Sequence, residues 1–111
     1  MQRHMLYIDG HEVAPDGQTW FATENPFTGA PWAEIARGNA SDVDAAAEAA
    51  HRAFTTGTWP QLTATQRGAL LRRVADLITR DAQRLAEIEV RDNGKLMAEM
   101  LGQLTYIPQW F

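Results

Sequence analysis

The stretch Thr63 to Lys95, TATQRGALLRRVADLITRDAQRLAEIEVRDNGK, constrains the chain most. It reads as one long amphipathic helix with a start and a stop written into it. Thr63 is an N-cap candidate, and Gln66, three residues on, completes a capping box. Leu70, Val74, Leu77, Ile78, Ala82, Leu85 and Ile88 recur at spacings of three and four and form one apolar stripe. Asp92-Asn93-Gly94 supplies a stop that tolerates left-handed backbone. At about 1.5 Å per residue, the segment from Thr63 to Asp92 is roughly 45 Å long. A helix of that length is long for a chain of 111 residues. Its stripe must be covered, and the other segments can be judged by whether they are able to cover it.

Upstream, the patterning is that of short strands. Met5 to Ile8 and His11 to Val13 flank Asp9-Gly10, the strongest short hairpin signal, because a type I′ turn requires positive φ at both central positions. Ala14-Pro15-Asp16-Gly17 is a second turn cluster, and Asn25-Pro26-Phe27-Thr28-Gly29 is a third. Thr19 to Thr23 and Pro31 to Arg37 are strand-like, with Ala33 and Ile35 on one face and Glu34 on the other. We expect a small antiparallel β layer over about 5–37, too small to stand without a partner. Three helices are expected after it, over about 41–55, 63–92 and 97–111. The first is expected to start at Ser41 as N-cap, with Val43, Ala46, Ala47, Ala50 and Ala53 as its stripe. In the third, Pro108 removes a hydrogen bond if the helix is continuous. No internal domain boundary is evident. The chain stops at Trp110-Phe111 in mid-pattern, from which an incomplete domain is expected.

Composition narrows the chemistry. The net charge of −4 argues against a nucleic-acid partner. Seven of the ten basic residues and five acids lie within residues 67–95, a distribution read as a solvated helix face with acid-first pairs Asp76–Arg80 and Glu87–Arg91. The chain contains no cysteine, which excludes a disulfide, a thiolate nucleophile and a Cys-ligated metal within it. No signal peptide opens it and no apolar run approaches a membrane span, so a soluble cytoplasmic protein is expected. His4, His11 and His51 lack ligand spacing, and no phosphate-cradling glycine motif occurs. Asp92-Asn93-Gly94-Lys95 reads as a helix C-cap, Ser41 as a cap, and Trp20, Trp32, Trp59 and Trp110 as packing residues. The chemistry-bearing residues alone show no active site.

The order and spacing of several short pieces do point to a family. They are Tyr7-Ile8-Asp9-Gly10, Asn25-Pro26-Phe27-Thr28-Gly29, Ala33-Glu34-Ile35-Ala36, Asp42-Val43-Asp44-Ala45-Ala46 running to Ala53-Phe54, Trp59, Arg67-Gly68-Ala69-Leu70-Leu71 and Asp92-Asn93-Gly94-Lys95. Together they make the whole chain resemble the N-terminal segment of the NAD(P)-dependent aldehyde dehydrogenase superfamily. The resemblance implies an α/β fold with a Rossmann-type cofactor domain, of which residues 1–111 are an incomplete N-terminal part. It implies oxidation of aldehydes to carboxylic acids with NAD or NADP through a cysteine thioester. The family's catalytic and cofactor-binding residues all lie downstream of the matching segment. This chain alone is therefore expected to be inactive, to bind no cofactor, and to serve as a structural support. The segment Tyr106 to Phe111 resembles the start of a helix bordering the family's substrate tunnel. Tyr106, with Gly102 one turn before it on the same face, is the position expected to touch an aldehyde substrate. The remainder of the dehydrogenase fold is the expected partner, with a homo-oligomer at full length and no membrane or nucleic-acid partner. A competing reading is a standalone helical module that docks on a partner protein, such as a full-length dehydrogenase, through the stripes at Leu70–Ile88 and Leu96–Phe111.

Overall fold

The structure, a computed structural model, describes residues 1–111. Five strands precede three helices, in the order expected from the patterning. The strands are β1 (Gln2–His4), β2 (Leu6–Ile8), β3 (His11–Val13), β4 (Trp20–Asn25) and β5 (Ala30–Ala36). The helices are α1 (Ala40–Thr55), α2 (Ala64–Asn93) and α3 (Met97–Tyr106). Two 3₁₀ segments, Trp59–Gln61 and Ile107–Trp110, follow α1 and α3. The residues divide into two compact units, one of Met1–Glu24 with Ala30–Gln61, the other of Asn25–Gly29 with Leu62–Phe111.

In the first unit the expected single antiparallel layer is two sheets. β2 and β3 form the predicted hairpin, pairing Leu6 with Val13 and Ile8 with His11. Asp9 and Gly10 both take positive φ, at 53° and 79°, as a type I′ turn requires. The second sheet has the order β1-β5-β4. Its β1–β5 pairing is parallel, with Gln2 opposite Ala33 and His4 opposite Ile35. Residues 2–4 carry no alternation, and parallel pairing links segments far apart in sequence, so neither local signal announced this strand. Because β5 lies between two strands, its expected in-out alternation is blurred. Ala33 and Ala36, an odd number of residues apart, are both buried. Across the sheet, Arg3 donates from Nε to Glu34 Oε2 at 2.7 Å and lies 5.0 Å from the centroid of the Trp20 ring.

The N-cap of α1 lies two residues earlier than expected. Asn39, not Ser41, is the N-cap, in a reciprocal capping box with Asp42. Asp42 also reaches out of its helix, where both carboxylate oxygens accept from the backbone N–H of Asp16, at 3.0 and 3.3 Å. This contact turns the buried side of α1 toward Asp42 and Ala49. The stripe expected at Val43, Ala46, Ala47, Ala50 and Ala53 is exposed instead.

The second unit follows the sequence more closely. α2 is one unbroken helix of 30 residues. The Thr63 side chain accepts from the Gln66 N–H at 3.2 Å, and Gln66 Oε1 accepts from the Thr63 N–H at 2.9 Å. Its core consists of Ala86, Met100 and Leu104, with Ile78, Ala82, Leu85, Val90, Met97 and Leu101 packed around them. The covered seam thus passes through Ala86, which the stripe omitted, while Ile88 faces outward. A small Ala at the centre allows the α3 side chains to approach, and Met100 fills the space with no exposed surface. Toward the other end of α2, Leu70 is 48% exposed and Val74 41%. α3 ends at Tyr106 rather than continuing to Phe111; the Pro108 that follows lacks the N–H an α-helix needs, and the backbone tightens to 3₁₀. On the charged face, Arg80 donates from two nitrogens to adjacent Asp81, at 2.8 and 3.0 Å, rather than reaching Asp76. That fork holds the Asp81 carboxyl below the ordinary carboxylate range and raises the Arg80 guanidinium.

Candidate functional site

Two of the short pieces quoted from the sequence meet in the helical unit. The turn Asn25–Gly29 is organised by its first residue. Asn25 Oδ1 accepts from the Phe27 N–H at 2.9 Å, and the Asn25 carbonyl accepts from the N–H of Thr28 at 3.1 Å and of Gly29 at 2.8 Å. Asp92-Asn93-Gly94-Lys95 is the C-cap expected. Gly94 has φ 75° and donates its N–H to Val90 O, and Asn93 Oδ1 accepts from the Lys95 N–H. A Cβ on Gly94 would lie 2.8 Å from Pro26 Cγ. Gly94 is therefore needed twice, for its left-handed backbone and for the close approach of Pro26. This junction is structural: it fixes the end of α2 and hence the place from which α3 departs.

α3 carries the candidate site. Its inner face is Met100 and Leu104, the buried pair. Away from them, Glu99, Gly102, Gln103 and Tyr106 with Ile107 line an open concavity of about 600 Å³. The structure thus brings together the two residues expected to border a substrate path, Gly102 and Tyr106. Ile107 belongs to the segment Tyr106 to Phe111 expected there, and the structure adds Glu99 and Gln103, which the sequence did not single out. Their signal was available, since 99, 103 and 106 follow the helical repeat around Gly102. A Cβ on Gly102 would meet nothing within 4 Å. Glycine inside a helix costs roughly 0.5–1 kcal/mol relative to alanine, and nothing within this chain requires it at this position. The Tyr106 ring packs edge-on against Trp110 at 5.8 Å with an interplanar angle of 77°, yet keeps 56% of its surface exposed.

The helix N-termini are a second place to look for ligand chemistry, because free N–H groups there attract anions. At α1 the position is already filled. Asp42 Oδ2 accepts from the Asn39 N–H at 2.8 Å, and the Asn39 side chain accepts from the Asp42 N–H. A negative carboxylate therefore lies beside the first turn of α1, where it would repel a phosphate. At α2 a capping box also closes the end. Neither of these two helix ends is left uncapped. The three histidines lie apart in the fold, with His4 on β1, His11 on β3 and His51 on α1. His4 packs edge-on against Trp32 at 6.2 Å. No helix is long and apolar enough to cross a membrane.

Comparison with known proteins supplies what the geometry lacks. The model of the aldehyde dehydrogenase family matches residues 13–111. A (Z)-2-((N-methylformamido)methylene)-5-hydroxybutyrolactone dehydrogenase of Acinetobacter baylyi is 40% identical over 111 residues, covering 100% of this chain and 22% of that protein. A hydroxyisobutyraldehyde dehydrogenase of Mycolicibacterium austroafricanum is 41% identical over 106 residues, covering 96% of this chain and 21% of that protein. Among solved structures, an NAD-dependent aldehyde dehydrogenase from Sinorhizobium meliloti superposes with a TM-score of 0.93 at 29% identity, over 97% of this chain and 22% of that one. A betaine aldehyde dehydrogenase from Staphylococcus aureus, solved in complex with NAD+, gives 0.91 at 32% identity, over 95% and 21%. The chain spans about a fifth of the length of these relatives. It belongs to the aldehyde dehydrogenase family and corresponds to the N-terminal part of its members.

Proposed function

We propose that residues 1–111 are the N-terminal structural portion of an NAD(P)-dependent enzyme that oxidises aldehydes to carboxylic acids, and that they do not turn over substrate by themselves. The observation that carries this reading is the pairing of family membership over residues 13–111 with the absence of any cysteine. The family's chemistry, as the resemblance implies, requires a thiolate to attack the carbonyl, and this stretch cannot supply one. The cofactor is NAD or NADP. The capped α1 N-terminus supports the reading that other residues hold it, and no step of the reaction is assigned to residues 1–111. Both compact units belong to one cofactor-binding domain, and the working enzyme is cytoplasmic and homo-oligomeric.

The role of this stretch is then support and positioning. The uncovered half of the α2 stripe, with Leu70 and Val74 and the neighbouring Leu71, is the surface on which the rest of the dehydrogenase packs. The α3 concavity with Gly102 and Tyr106 forms one wall of the path by which the aldehyde enters. The test is a paired assay at 340 nm with NAD+ or NADP+ and a panel of aldehydes. Residues 1–111 alone give no reduced cofactor, whereas the full-length dehydrogenase does. Turnover by residues 1–111, or none by the full-length protein, overturns the reading.

A further inference from the structure

The chain has three asparagines, and each is followed by a different residue: Asn25 by Pro26, Asn39 by Ala40 and Asn93 by Gly94. The difference bears on the reaction that makes asparagine thermolabile. The backbone nitrogen of the next residue, once it has lost its proton, attacks the side-chain amide carbon. A C–N bond forms, the bond from that carbon to Nδ2 breaks, and ammonia leaves. Water then opens the five-membered imide to aspartate or isoaspartate. Pro26 has no N–H to lose, and the Ala40 methyl crowds the attacking nitrogen. Gly94 presents neither obstacle.

In the structure this pair is locked at the C-cap of α2. The nucleophile is engaged, since the Gly94 N–H donates to Val90 O at 2.9 Å. Asn93 is the last residue of α2, and a helical ψ of about −40° does not let the imide ring, which contains its Cα–C bond, close. Both ends of the side-chain amide are held as well. Oδ1 accepts from the Lys95 N–H at 2.9 Å, and Nδ2 donates to Glu89 Oε1 at 3.2 Å. Pro26 lies against Gly94, with Cγ 2.8 Å from the place a Cβ would take, so the turn and the cap must part before ψ can swing.

We propose that Asn93 is a latent deamidation site gated by the C-cap of α2. It reacts only in molecules whose last helical turn has opened, so its rate in the folded protein is the unfolded rate scaled by the open fraction. Because ammonia is lost, each opening that reacts is recorded permanently, as a new carboxylate or an isoaspartyl backbone at residue 93. The reaction needs no catalytic group and no partner, and it is independent of dehydrogenase activity.

The test uses the full-length protein, incubated at mildly alkaline pH either native or unfolded in guanidinium chloride. Mass spectrometry of the peptides that carry Asn25, Asn39 and Asn93 is the readout. In the unfolded chain Asn93 deamidates fastest of the three. In the native protein it reacts at least about 10-fold more slowly, the factor expected when three hydrogen bonds must break together. Pro26→Ala, which removes the ring packed against Gly94, raises the native rate by about 2- to 10-fold and leaves the unfolded rate unchanged. Equal rates in native and unfolded protein, an unfolded Asn93 no faster than Asn39, or a native rate that Pro26→Ala does not change overturns the proposal.

Discussion

The two halves of α2 carry one continuous apolar pattern and meet different fates. In the second half Ile78, Ala82, Leu85, Ala86 and Val90 pack with Met97, Met100, Leu101 and Leu104. From Leu70 to Val74 comparable side chains remain open. Composition does not separate the halves, since both carry Leu, Val or Ile at helical spacing. What separates them is the reach of α3: its 10 residues rise about 15 Å, far less than the roughly 45 Å of the 30-residue α2. An amphipathic pattern records that a face will be buried, not by what. The proposed function assigns the open half to packing against the rest of a dehydrogenase, and the chain spans about a fifth of its relatives' length.

The comparison can be broken most forcefully at the covered half. Met100→Ala removes the largest side chain of the helical core, so thermal or denaturant unfolding should show a loss of about 3 kcal/mol, within the usual 2–5 for such truncations. A loss below about 1 kcal/mol would mean that the α2–α3 seam is not a packed core. Next is the tie between α1 and the loop before β4. Asp42→Ala strands the N–H groups of Asp16 and Asn39 and should cost about 2 kcal/mol by the same measurement. Asp42→Asn, which keeps one acceptor, should recover part of that loss.

Thr63→Ala probes the cap of the long helix. It removes one hydrogen bond at an exposed helix end, and a cost of about 1 kcal/mol is expected. Smallest of all is Leu70→Ala in residues 1–111 alone, within about 0.5 kcal/mol, because the side chain has little cover to lose. In the full-length dehydrogenase the same substitution should cost about 2–4 kcal/mol, as expected for a buried leucine. The growth of that effect from fragment to whole sharpens the contrast between the halves.

The two capping boxes show how much of the fold was legible in the sequence. Thr63 and Gln66 satisfy each other within one turn, so their pattern was readable and the start of α2 was placed correctly. At α1 the cap is also a box, but Asp42 is shared with Asp16, 26 residues away. The Asn39–Asp42 box is as local as the other and was open to the same reading, whereas the contact with Asp16, which accompanies a buried Asp42 and an exposed alanine stripe, was not. The Asp9-Gly10 hairpin was legible for the reason α2 was, since its signal lies within the turn. The parallel pairing of Gln2–His4 with Ala33–Ile35 was not, since it joins segments more than 25 residues apart. Pro108 announced the end of α3 through its missing N–H, yet the apolar spacing beyond it suggested continuation, and the proline prevailed. At the candidate site, Gly102 and Tyr106 came from the resemblance. Glu99 and Gln103 share their helical face and could have been placed by the repeat alone, but polar residues on an outer face look like ordinary surface and did not stand out.

Hydrogen exchange along α2 tests the central claim most directly, measured on residues 1–111 alone and on the full-length dehydrogenase. The account predicts that in the short chain the amides from about Ile78 to Val90 are protected while those from Leu70 to Val74 exchange freely, and that both halves are protected in the full-length protein. Equal protection of both halves in residues 1–111 alone, with no gain at full length, would contradict it.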